Sequence, residues 1–143
     1  MILVDTTVWI DFFAGRPRPH VATLEQLLQS AEDICICGIV LTEVLQGIRP
    51  DSEYAKTKDD FDSLVFLPMT HATFLRSSQM YRALRKKGIT IRTPLDCMIA
   101  SVAIEHRVPL LHNDRDFDKI ANHTNLEVVK PDTASSMRPK IRS

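Results

Sequence analysis

The sequence predicts an α/β fold, a three-layer α/β/α sandwich in which a mostly parallel sheet of about five short strands lies between helices. Two observations carry this expectation. Short apolar runs alternate with amphipathic stretches along nearly the whole chain, the order that strand–helix–strand crossovers produce. The first run, "ILV" at 2–4, is continuously apolar rather than alternating, which suits a strand buried on both faces.

In chain order, "ILV" at 2–4 gives way to Asp5 and a helix in "TTVWIDFF", for which Asp5, Thr6 or Thr7 can act as the cap. A second helix follows in "HVATLEQLLQSA", and the second strand is "ICICG" at 34–38. In the helix "VLTEVLQGI", Val40, Leu41, Val44, Leu45 and Ile48 make the apolar stripe, with Glu43 at its border. After the strand "VFLPM" at 65–69 comes "ATFLRSSQMYRALRKKG", whose basic last turn and Gly88 mark a helix end. "TPLDCMIASVAIEH" opens the next helix with Thr93 as N-cap, Pro94 at the first helical position and Asp96 three residues after the cap. The strands "VPLLH" at 108–112 and "LEVV" at 126–129 complete a domain spanning 1–130, and a polar tail occupies 131–143.

Composition limits the function classes. With 44% hydrophobic residues in 143, one substantial core is expected. Eighteen basic residues balance eighteen acidic ones, which excludes a strongly basic, nonspecific nucleic-acid binder and makes any anion site local. The apolar runs are far too short to cross a bilayer, and no leader pattern precedes the first strand, so a cytoplasmic protein without membrane contact is expected. Cys35, Cys37 and Cys97 match neither a CxxC nor a zinc spacing and are expected as reduced core thiols.

In open parallel sheets, ligand sites lie beyond the carboxyl ends of the strands. Asp5 follows the first strand, Asp114 and Asp116 follow "VPLLH", and Glu43 lies in the helix after the second strand. Asp96 stands in the first turn of a helix that is apolar nearly all round. Each acid has a plain structural alternative: Asp5 and Asp114 as helix caps, Asp96 as a capping-box partner, Glu43 as a solvated helix residue. Together they are harder to accommodate, because two carboxylates about 4 Å apart repel by roughly 4 kcal/mol at an effective dielectric near 20. A cation would relieve that repulsion, and hard oxygen donors without neighbouring His or Cys suit Mg2+ or Mn2+. Asp11, on the polar side of the first helix, and Asp118 rank lower, and His112 reads as structural.

The ordered set "VDTTVWID", "LTEVLQG", "PLDCMIASVA" and "LLHNDRDF" resembles the PIN-domain ribonucleases, most closely the VapC-type toxins of type II toxin–antitoxin pairs. The resemblance covers nearly the whole chain except the tail. It implies a PIN-like sandwich in which Asp5, Glu43, Asp96 and Asp114 hold the metal and carry catalysis, with Asp116 as a further ligand and Thr7 as a polar neighbour on the substrate side. One departure is His112 and Asn113, where Thr and Asn or Arg are frequent. The implied activity is endoribonucleolytic hydrolysis with Mg2+ or Mn2+. The implied partners are RNA and a cognate VapB-type antitoxin, and the expected assembly is a homodimer.

Two further surfaces follow from the residues. Between His71 and Leu95, Arg76, Arg82, Arg85, Lys86, Lys87 and Arg92 occur without an acid, forming either a phosphate track toward Asp96 or a solvated helix end. Trp9, Phe12 and Phe13 widen the apolar arc of the first helix beyond what one sheet face covers, so this helix either packs under its neighbour or, as the resemblance implies, receives the antitoxin. The alternatives from other classes are a haloacid-dehalogenase-like phosphatase, a receiver-type signalling domain and a PIN-domain RNA-processing nuclease outside a toxin pair. The phosphatase family usually has a second Asp where this chain has Thr7, and a receiver needs an acceptor Asp that "VFLPMTH" does not offer.

Overall fold

The computed structural model describes residues 1–131; the tail expected at 131–143 lies, apart from Pro131, outside the described residues. In chain order the elements are β1 (Ile2–Val4), α1 (Thr6–Phe13), α2 (Pro19–Gln29), β2 (Ile34–Cys37), α3 (Gly38–Gln46) and α4 (Asp51–Phe61). They continue as β3 (Val65–Leu67), α5 (His71–Lys86), α6 (Pro94–His106), β4 (Leu110–Leu111) and α7 (Arg115–His123). The four strands form one parallel sheet in the order β3-β2-β1-β4. The expected fifth strand at 126–129 reduces to an isolated parallel bridge between Leu110 and Val128, backed by the Val129 N–H donating to the Leu110 carbonyl at 2.9 Å. β2 and β3 are short for local reasons. Gly38 turns directly into α3 after β2, and Pro68 after β3 has no N–H to extend the ladder.

Leu3, Val4, Cys35, Cys37, Leu110 and Leu111 have no exposed surface, which explains the continuous apolar runs. All three cysteines are buried free thiols, as their spacing predicted. Helix α6 buries Cys97, Ile99, Ala100, Val102 and Ala103 and packs against α3, α5 and α7, so it is apolar on every side. Gly88, at φ +79°, follows the basic last turn of α5 as the sequence predicts, in the left-handed region that a side chain disfavours. No described helix is long and apolar enough to cross a membrane.

The surplus apolar arc of α1 is partly covered within the chain. Trp9, 3% exposed, packs on Phe61 of α4 with ring centroids 4.8 Å apart, and Phe12 meets Trp9 edge-on. This burial removes Trp9 from the expected partner surface and leaves Phe12 half-buried. Phe13 remains 49% exposed, stacked on Trp9, and Ile10 is exposed beside it on the same helix. Asp11 also departs from its expected place on the polar side. It is buried, accepting hydrogen bonds from Arg16 Nη1 and His20 Nε2, each at 2.7 Å. The Arg16 hydrogen bond holds its carboxyl below the ordinary range, and the acid ties the end of α1 to the start of α2.

Candidate active site

The chain passes from β1 outward through β2 to β3 and then crosses to β4 on the other side of β1, so the strand order reverses between β1 and β4. This switch point is where an open parallel sheet leaves a crevice at its carboxyl edge. Asp5 ends β1 and caps α1, its Oδ2 accepting the Thr7 N–H at 3.1 Å and the Thr7 hydroxyl at 2.6 Å. The same Thr7 hydroxyl accepts the Asn113 N–H at 3.0 Å, joining the turn after β1 to the turn after β4. Asp114 caps α7, accepting the Asp116 N–H at 2.9 Å, and its own N–H donates to His112 Nδ1 at 3.0 Å.

Glu43 projects from α3 and accepts the Thr6 hydroxyl at 2.7 Å. Thr93 caps α6 through the Leu95 N–H, but Asp96 does not close the capping box: its Oδ2 is buried with no hydrogen-bond partner. A buried carboxylate oxygen left unpaired is costly unless another species completes it. Carboxylate oxygens of Asp96, Asp114 and Asp116 all lie within 4.8 Å of one another and can share one ion. Asp5 and Glu43 stand outside that compact group, yet their charges act on Asp96 together with those of Asp114 and Asp116.

Burial pushes the Asp5 carboxyl up to about 6 against the opposing Thr7 hydrogen bonds. Burial, followed by the charges of Asp114, Asp5, Asp116 and Glu43, pushes Asp96 up to about 7. Asp116 is different. Burial alone would raise it, but hydrogen bonds from the Arg92 backbone and side chain, aided by Lys119, hold it below the ordinary carboxylate range. The donor set is all oxygen, carries excess negative charge and contains one unsatisfied buried oxygen, so it fits a hard divalent cation.

A PIN-domain model matches residues 2–123. The chain belongs to the PIN-domain family. It is 34% identical to the VapC ribonuclease Mb1587 of Mycobacterium bovis over 131 residues, covering 90% of this chain and 98% of that one. Ribonuclease VapC11 of Mycobacterium tuberculosis matches to the same extent. VapBC2 from Rickettsia felis, solved bound to a DNA fragment from its promoter, superposes with a TM-score of 0.71 at 25% identity, over 90% of this chain and 98% of that one. This PIN domain is therefore of the VapC group, which sets aside the dehalogenase-like phosphatase and the receiver domain.

Beside the acids of this PIN domain lies a cleft of about 1160 Å³. Thr7, Arg92, Asp114 and Asp116 line it with Lys130, and so do Arg115 and Lys119, two cations that the sequence reading did not single out. Arg115 and Lys119 sit in the helix that Asp114 caps, a signal available in "NDRDFDK" but masked by its acids. Arg85, Lys86 and Lys87 are exposed at the end of α5 and do not line the cleft; Arg85 lies over the Tyr81 ring at 5.7 Å. Thr6, which steadies Glu43, was foreseen only as a possible cap.

Proposed function

We propose that this chain is an endoribonuclease dependent on Mg2+ or Mn2+ that acts as the toxin of a toxin–antitoxin pair, held inactive by a cognate VapB-type antitoxin. The observation that carries the reading is the buried Asp96 carboxylate, which has one oxygen unpartnered and an oxygen within 4.8 Å of those of Asp114 and Asp116. The relatives named as ribonucleases, matched over nearly their full length, support the substrate class. Asp5, Glu43, Asp96 and Asp114 would hold the cation, with Asp116 as a further ligand. When bound, such a cation supplies Lewis acidity to a phosphodiester and lowers the pKa of water beside it. The chain's own part is to fix the acids through Thr6, Thr7 and the two helix caps and to offer cations along the cleft. One of these acids would also take the proton of an attacking water. Incubating the purified protein with single-stranded and structured RNAs in Mg2+, Mn2+ or EDTA tests this. Cleavage that persists in EDTA would remove the metal-dependent reading.

Neutralising Arg85, Lys86 and Lys87 together to Gln is expected to weaken RNA binding more than turnover, because phosphate contacts position the substrate without taking part in bond cleavage. If all three touch phosphates, the slope of log affinity against log salt flattens by about 2 for single-stranded RNA. An unchanged slope assigns the cluster to the helix end alone.

The partner surface narrows to Phe13. With Asp5 capping one end of the eight-residue α1 and Phe13 at the other, an antitoxin segment that covers both need reach only about 12 Å along the helix. Phe13→Ala is expected to lower antitoxin affinity about tenfold, measured by calorimetry, while cleavage by the free protein stays within about twofold. Full inhibition of the variant at wild-type antitoxin concentrations would move the docking surface elsewhere. A homodimer of the free toxin belongs to the same reading and is checked by light scattering.

A further inference from the structure

Among the described residues, Arg92 is the one side chain that bridges two of the clustered carboxylates. Its Nη2 donates to Asp114 Oδ1 at 2.6 Å and its Nε to Asp116 Oδ2 at 3.1 Å. The Arg92 side chain is 72% exposed, so it sits at the mouth of the cluster rather than inside it. Its backbone is held separately, because the Arg92 N–H donates to Asp116 Oδ2 at 3.0 Å. The head group can therefore leave the acids while its anchor stays. Lys119 Nζ lies 3.4 Å from Asp116 Oδ1, so Arg92 and Lys119 together bring two positive charges to Asp114 and Asp116. A divalent cation brings the same charge and needs the same oxygen lone pairs.

We propose that Arg92 is an exchangeable counter-ion, occupying Asp114 and Asp116 in the metal-free protein and yielding them to a divalent cation, which frees its guanidinium to bind an RNA phosphate in the adjoining cleft. The Arg92 side chain is exposed, so water receives its guanidinium when it leaves, and the incoming divalent cation replaces the positive charge withdrawn from the buried Asp116. A freed guanidinium keeps a planar fork of donors that matches a phosphate in two-point contact. Arg92 lines the cleft beside Thr7, Asp114 and Asp116, so the released group need not travel to meet a strand bound there. Lys119 also lines the cleft but reaches only Asp116 and is a single point charge. The phosphate half of the proposal rests on the nuclease reading above, whereas the exchange half does not.

The test compares wild type with Arg92→Gln. Mn2+ affinity by calorimetry is expected to rise about fivefold in the variant, since a competitor has been removed. Affinity for a short single-stranded RNA, measured with Ca2+ as the cation, is expected to fall about fivefold, whereas in EDTA the two proteins bind RNA alike. Opposite signs for metal and RNA are not what general damage to the site produces. Mn2+ affinity that is unchanged or weaker makes Arg92 a fixed brace and overturns the proposal. In the wild-type protein, the Arg92 Nε–H resonance is expected to be visible in EDTA and to broaden through solvent exchange on saturation with Mg2+. A resonance that Mg2+ leaves in place overturns it without recourse to a variant. Tighter Mn2+ binding by Arg92→Gln alongside a wild type that cleaves no RNA would retain the exchange and remove the nuclease reading.

Discussion

Replacing Asp5, Asp96 or Asp114 with Asn, or Glu43 with Gln, is expected to lower metal-dependent RNA cleavage by at least about 100-fold while the fold survives. The amides are chosen so that the structural duties of these residues continue. Asp5 and Asp114 cap α1 and α7, and Asn is as good a cap as Asp. Gln at position 43 still accepts the Thr6 hydroxyl through its amide oxygen. What each amide removes is one negative charge from a cluster whose members already oppose each other's ionisation. Cleavage of a defined RNA in Mg2+ and in Mn2+, set beside far-UV circular dichroism, separates loss of chemistry from loss of fold. Near wild-type cleavage by any variant at Asp5, Asp96 or Asp114 would show that the ligand set is wrong.

Stability of the metal-free protein is expected to fall as pH rises, the reverse of ordinary acid denaturation. Asp5 and Asp96 move from an ordinary 3.8 to about 6 and about 7 in the folded chain. From pH about 4 to about 7 the folded chain therefore binds more protons than the unfolded one, so stability declines through that window and levels off above it. Asp5 alone, fully enclosed, contributes about 3 kcal/mol of this loss. Burial of His112 holds its imidazole below the ordinary value and works in the opposite direction below neutrality. Comparison with variants isolates the acids. In EDTA, wild type should melt on the order of 10 °C lower at pH 8 than at pH 5. That gap should shrink in Asp5→Asn and in Asp96→Asn, and saturating Mg2+ should close most of it at pH 8. A gap of equal size in the variants would place its origin elsewhere.

The sheet and the acids were legible in the sequence for one reason, that chain direction alone decides which residues follow a buried strand. Asp5 and Asp114 could be placed at the crevice before any contact was known, and Thr93 and Pro94 announced the start of α6 correctly. What stayed hidden depended on neighbours remote in sequence. Helix α4 buries only Thr57 and Phe61, so it has no apolar stripe, and Pro50 with Asp51 and Glu53 in its first turn were its only signals. Trp9 is covered by that unforeseen helix through Phe61, which is why its burial was not legible. Asp11 reads as a surface residue because its partners, Arg16 and His20, lie beyond the end of its own helix. The fifth strand was expected from "LEVV", but among the described residues its strand pairing amounts to a single bridge from Val128 to Leu110. Arg92 was read as a contact for RNA, and nothing in its local sequence shows that two acids more than twenty residues away hold it first.

The order β3-β2-β1-β4 also bears on when the protein becomes dangerous to the cell that makes it, if it is the toxin proposed here. During synthesis β1, β2 and β3 and their helices emerge first, yet β1 then has one open side, and the Asp5 N–H lacks the Leu111 carbonyl that it meets at 2.9 Å in the finished fold. Asp96, Asp114 and Asp116 are translated last among the acids, and the Thr7 hydroxyl has no Asn113 N–H to hold until β4 inserts. A ribosome-bound fragment ending before β4 therefore carries Asp5, Glu43 and Asp96 without Asp114 and Asp116, and has no complete site. Ribonuclease activity switches on only when the second half of the chain docks beside the first, which gives an antitoxin made alongside it an interval in which to be ready.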